Sequence, residues 1–249
     1  MIKTWMTPWL LMAVPFLGAA LSLLLRTSLQ RMKTSALLTT VASMLVVIGT
    51  PWALGDTLAG VPFLCLLPLT AFLSLLGQPL HRDNTSAWTT TLVLLGLGLG
   101  ILTAQAPAHD VMLLVLPGLL CILLYRYQSG ATPETWRGLS AYGLSMVSAA
   151  LALVLPTPAS TVALLVTCAT LLPLLPVHSG FIATLTGLPG NLPAFLVFLL
   201  PTVGFHTLLT LLPNLTVTTL HTVTILALGG AVYGSLRALI QARPLPRLA

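Results

Sequence analysis

The chain has 249 residues, of which 57 % are hydrophobic, with only ten basic and four acidic side chains and a formal net charge of +6. So few charges exclude a water-soluble domain of this size, because they cannot cover its surface. The mean hydropathy of +1.02 predicts an all-α membrane protein instead. A helix satisfies every backbone polar group within lipid, and the apolar runs do not alternate as the strands of a barrel do.

Apolar runs of about 17 to 25 residues mark the expected membrane spans. They predict about nine transmembrane helices in a single polytopic domain, 1–249, with spans near 5–25, 35–54, 60–77, 88–105, 110–125, 139–156, 161–187, 194–213 and 217–240. The tryptophans fall at or near the ends of these runs, where an indole ring fits the headgroup region of a bilayer. They are Trp5, Trp9, Trp52, Trp88 and Trp136.

The basic residues predict an orientation. With nine spans, nine of the ten basic residues fall on one side of the membrane and only Lys3 falls on the other. Because basic loops are retained in the cytoplasm, the amino terminus is expected outside and the carboxyl terminus in the cytoplasm. The basic residues form no patch with interleaved aromatic side chains, so a nucleic-acid partner is not expected.

Several chemistries have no motif in this sequence. It contains no glycine-rich phosphate loop, no GxSxG, no HExxH and no pair of histidines at ligand spacing within one helix. Cys65, Cys121 and Cys168 lie in apolar runs without paired spacing and are interpreted as core residues. No metal, no cofactor and no catalytic activity of the isolated chain are therefore expected.

The run "LLPLLPVHSGFIATLTGLPGNLPAFLVFLL" at 171–200 is apolar but rich in proline. Pro173 and Pro176 each remove a backbone donor, so the seventh helix is expected to break there and to free carbonyl groups at membrane depth. Irregular backbone at that depth is tolerated where it is buried or lines a cavity. His178 follows the break directly, and it is interpreted either as a proton relay or gate or as a cap on the freed carbonyls.

These residues carry a family resemblance. Pro173, Pro176 and His178 match P-x-x-P-x-H, Pro189 follows eleven residues after the histidine, and Gly204 lies within the next span. The pattern resembles the seventh and eighth spans of the antiporter-like subunits of respiratory complex I, membrane-bound hydrogenases and multisubunit cation/proton antiporters. The resemblance implies an amino-terminus-out membrane subunit that covers about the first nine of some fourteen spans, with other membrane subunits and the lipid bilayer as its partners.

The charged relay of that family has no counterpart in this chain. Positions where the family has lysines correspond to Leu171 and Thr202, its second histidine corresponds to Leu185, and its fifth-span glutamate falls near Pro117 or Gly118. We therefore expect an accessory or structural subunit of a complex-I-like assembly that is not itself a competent proton pump. Its membrane would be the bacterial cytoplasmic membrane or an organellar inner membrane.

Two alternatives stay open. The chain is a proton- or cation-conducting subunit if His178 and His206 are bridged by water, with Thr202 one helical turn before His206 on the same face. Conduction needs polar groups or water at short intervals, because an isolated polar group in lipid is costly. The other alternative is an unrelated transporter of a small solute, with the broken span at its binding site.

Overall fold

The computed structural model of the chain describes residues 2–54, 61–127, 133–172 and 179–240. Within these ranges the protein is all-helical and contains no strand. The helices are α1 (Ile2–Leu24), α2 (Leu29–Leu54), α3 (Val61–Leu76), α4 (Thr85–Thr103), α5 (Ala108–Tyr127), α6 (Pro133–Val154), α7 (Ala159–Leu171), α8 (Ser179–Gly187), α9 (Leu192–Leu211) and α10 (Val217–Ile240).

Five described helical segments are long and apolar enough to cross a membrane: Leu29–Thr50, Thr85–Thr103, Ala108–Tyr127, Thr135–Val154 and Leu192–Asn214. Four shorter apolar segments accompany them, at Pro8–Leu24, Leu64–Leu76, Ala159–Leu171 and Val217–Gly230. The prediction of a multi-helix membrane protein therefore agrees with the fold. α3 and α5 each continue through an internal proline, Pro68 and Pro117, so these two prolines interrupt neither helix.

α4 is the central helix of the described structure. It contacts α1, α2, α3, α5 and α9. Its glycines allow these neighbours to approach closely: a Cβ atom added at Gly98 would lie 2.5 Å from a methyl carbon of Leu199 and 2.8 Å from one of Leu67. Small residues let helices in a membrane pack by van der Waals contact. The glycines of this span therefore serve packing within the chain.

Trp88 departs from the expectation that the tryptophans lie in the headgroup region. Its side chain is fully buried in the first turn of α4, in a small core cluster with Met32 of α2 and Leu75 of α3. Trp9 and Trp136, by contrast, are largely exposed. The start of α4 is enclosed by three other helices, so a residue near the end of a span is here surrounded by protein.

α10 differs from the other long helices in how little protein surrounds it. It makes no extensive contact with another described helix. Large apolar side chains such as Ile225 and Leu228 are 69 % and 63 % exposed, and no described side chain of α10 is buried. An apolar helix with exposed sides needs either lipid or another protein around it.

Candidate functional site

The predicted helix break lies mostly outside the described residues. Pro173, Pro176 and His178 belong to the segment 173–178, which the structure does not describe. α7 ends at Leu171, α8 begins at Ser179, and the two are separate helices. The roles predicted for these two prolines and for His178 stay predictions.

α9 passes close to the point where α7 ends. A Cβ atom at Gly204 would lie 2.9 Å from Leu172 Cγ and 3.1 Å from Leu171 Cβ, so the glycine permits the contact. Thr202 lies two positions before Gly204 and His206 two positions after it, and both side chains are half-buried. Pro189 lies in the turn between α8 and α9, directly before Gly190, whose φ of 64° favours glycine.

His206 lies beside a second histidine that the sequence analysis did not select. The ring centroids of His109 and His206 are 6.2 Å apart. His109 is 6 % exposed, and its Nδ1 lies 2.9 Å from Oδ1 of Asp110. Its Nε2 lies 3.4 Å from the hydroxyl of Thr207. We call these four residues, His109, Asp110, His206 and Thr207, the histidine cluster.

The hydrogen bonds of the histidine cluster accommodate a protonated imidazole. Thr207 donates its hydroxyl proton to the carbonyl of Val203 at 2.9 Å, so its oxygen is free to accept from His109. Asp110 accepts from the other ring nitrogen. Both nitrogens of an imidazolium are donors, and this arrangement supplies an acceptor to each. Asp110 also lies in the first turn of α5, where the helix dipole favours a carboxylate.

A second polar cluster lies at the opposite end of α9, where Asn191 immediately precedes the helix. The amide nitrogen of Asn191 donates to Thr91 at 2.8 Å and to Ser74 at 3.2 Å, which joins α9 to α4 and α3. Asn191 is fully buried, and its side-chain oxygen has no hydrogen-bond partner among the described residues. We call Asn191, Thr91 and Ser74 the asparagine cluster.

The buried face of α9 between the two clusters is apolar. It consists of six side chains with 0 % exposure: Leu192, Phe195, Leu196, Leu199, Leu200 and Val203. Thr207 lies sixteen residue steps after Asn191, which is about 24 Å along a helix at 1.5 Å per residue. These six side chains carry no titratable group and no hydroxyl that could pass a proton.

The sequence carried only a weak signal for His109 and Asp110, which the sequence analysis did not select. His109 and Asp110 are adjacent at the start of an apolar run, where a titratable pair is unusual. Their proximity to His206 and Thr207 is a tertiary contact over about a hundred residues of chain, as the separation of 98 between His109 and Thr207 shows. Among the described residues, no group of three or more histidine, cysteine or acidic side chains is placed to hold a metal ion.

Comparison of the chain with protein-family models, curated proteins and solved structures finds no match. The resemblance to antiporter-like subunits therefore rests on the quoted motif alone.

Proposed function

We propose that this protein is an accessory membrane subunit of a larger complex-I-like assembly, and that it does not pump protons itself. In this proposal the chain crosses the membrane nine times, at the spans predicted from the sequence, with the amino terminus outside and the carboxyl terminus in the cytoplasm. The membrane is the bacterial cytoplasmic membrane or an organellar inner membrane.

The exposure of α10 is the observation that carries this proposal. Its apolar side chains, including Ile225 and Leu228, remain exposed in the isolated chain, although the helix is long enough to lie deep in a bilayer. Such a helix adds little to the internal packing of the protein. In this proposal α10 packs against other membrane subunits, because helices in lipid associate through van der Waals contacts.

The apolar face of α9 supports the second half of the proposal. A pump needs protonatable groups that alternate between the two sides of the membrane, whereas the histidine cluster is separated from the asparagine cluster by about 24 Å of buried apolar side chains. The positions that correspond to the relay lysines of the antiporter-like family, Leu171 and Thr202, carry no charge.

The test is purification of the full-length tagged chain from its own cells in gentle detergent, with mass spectrometry of the proteins that co-migrate. Quinone-, hydrogenase- or antiporter-type subunits in fixed ratio are expected. The double variant Ile225→Ala/Leu228→Ala should stay folded and lose most of these partners. Substitution of the exposed Leu153 and Val154 of α6 by alanine is the matched control and should keep them. A folded chain that migrates alone contradicts the proposal.

A second candidate function is proton conduction through the histidine cluster. The observation that favours it is the buried His109 between Asp110 and Thr207, with His206 beside it. The protein in proteoliposomes would then show proton flux that His206→Ala and His109→Gln abolish. His221→Ala, at an exposed position of α10, is the matched control and should leave flux unchanged. Absence of flux with the unmodified chain excludes this function.

A further inference from the structure

A groove of about 760 Å³ runs between α1 and α2. Its walls are two facing stripes at helical spacing. One stripe runs from Val14 in α1 to Leu25 just after that helix, and the other runs from Arg31 to Ala42 in α2. The volume lies within the range of roughly 300 to 1,000 Å³ that is typical of small-molecule sites.

The length of the groove matches one leaflet of a bilayer. Each stripe covers eleven residue steps, Val14 to Leu25 and Arg31 to Ala42, which is about 16 Å of helix. The hydrocarbon core of a bilayer is about 30 Å thick, so the length of the groove is about half of that thickness. A transmembrane helix of a partner would need the full thickness, whereas one acyl chain of a lipid needs only half of it.

The two ends of the groove differ in polarity. Ser28, Gln30 and Arg31 line the end next to the α1–α2 loop, and apolar side chains such as Leu17 and Leu38 dominate beyond them. Arg31 is exposed and forms no ion pair with a described residue. Lys33, two residues later, is already engaged, since its ammonium group donates to the carbonyls of Leu76 and Gln78 at the end of α3.

We propose that this groove binds one anionic phospholipid of the bilayer. The phosphate accepts hydrogen bonds from the guanidinium of Arg31, and an acyl chain lies between Leu17 and Leu38. Basic pockets between transmembrane helices bind anionic headgroups by the same attraction. The proposal requires only that the α1–α2 loop lies at a membrane surface, and it does not depend on the proposed complex.

Native mass spectrometry of the full-length chain from nanodiscs tests this proposal. The discs contain dioleoyl phosphatidylcholine with or without dioleoyl phosphatidylglycerol. One phosphatidylglycerol adduct per chain is expected, retained in preference to phosphatidylcholine. Arg31→Gln should weaken its retention about fivefold, since one basic residue contributes about 1 kcal/mol to such binding. Arg137→Gln makes the same charge change at an exposed position of α6 and should have no effect.

A second variant tests the acyl-chain part of the site. Ala42 is exposed at the inner end of the groove, so Ala42→Phe can fill that end without disturbing the core. It should weaken binding of dioleoyl phosphatidylglycerol and leave binding of the dihexanoyl form unchanged. Equal retention of both headgroups, an unaltered adduct in Arg31→Gln, or displacement of the lipid by equimolar inorganic phosphate would each overturn the proposal.

Discussion

α4 and α10 are both apolar helices of similar length, yet they have opposite environments. Fourteen of the nineteen residues of α4 are buried, whereas α10 has no buried side chain among those described. Both helices have the same kinds of residues, mainly leucine, threonine and glycine. In a membrane, lipid tails are as apolar as leucine, so hydropathy does not distinguish a helix that packs against protein from one that faces lipid or a partner.

The largest expected difference between the two helices comes from removing a leucine side chain. Leu99→Ala in α4 creates a cavity among fully buried neighbours and should lower the free energy of unfolding by about 2–5 kcal/mol. Leu226→Ala in α10 removes a side chain that is 48 % exposed and should change it by about 0.5 kcal/mol at most. Thermal unfolding of the two variants in detergent measures both effects, and equal losses would show that α10 is packed against the rest of the chain.

Adding a side chain tests the same difference in the opposite direction. Gly98→Leu places atoms where Leu67 and Leu199 already lie and should destabilise the protein by about 1–3 kcal/mol. Gly229→Leu in α10 meets no atom within 4 Å and should leave stability unchanged or slightly higher, because leucine favours a helix more than glycine does. If Gly229→Leu instead removes co-purifying proteins from a folded chain, α10 packs against a partner through that glycine.

The sequence predicted where the helices lie far better than it predicted which helices pack against one another. Hydropathy and length placed the apolar runs because lipid forces each run into a helix. Burial was not predictable, because it depends on which faces meet. Trp88 lies near the end of a run but is enclosed by three other helices.

The candidate site was predicted in part. His206 was selected because a histidine inside an apolar run is rare. Its neighbour His109 was not selected, since nothing local indicates that the start of α5 meets the end of α9. Asn191 was missed for a related reason. Its hydrogen bonds join it to Ser74, 117 positions away in the chain, and to Thr91, 100 positions away.

The two ends of α9 offer a smaller contrast. Asn191→Ala removes two interhelical hydrogen bonds from a fully buried position and should destabilise the protein by about 1 kcal/mol, a typical value for such bonds in membranes. Asn214→Ala, at the exposed end that follows α9, should have almost no effect. Thermal unfolding in detergent compares the two, and a stable Asn191→Ala variant would mean that the asparagine cluster does not hold α3, α4 and α9 together.

The smallest expected effect is the change in unfolding free energy when Trp88 is replaced. Its sign shows whether the buried indole stabilises or destabilises the protein. The indole nitrogen of Trp88 is buried and has no hydrogen-bond partner among the described residues, so the tryptophan carries a desolvation cost. Trp88→Phe removes that donor together with part of the ring, and the lost packing opposes the gain. We expect a net change of about 1 kcal/mol or less. Trp9→Phe, at an exposed position, is the reference for the loss of an indole. A loss of about 3 kcal/mol in Trp88→Phe would show that packing of the indole outweighs its unsatisfied nitrogen.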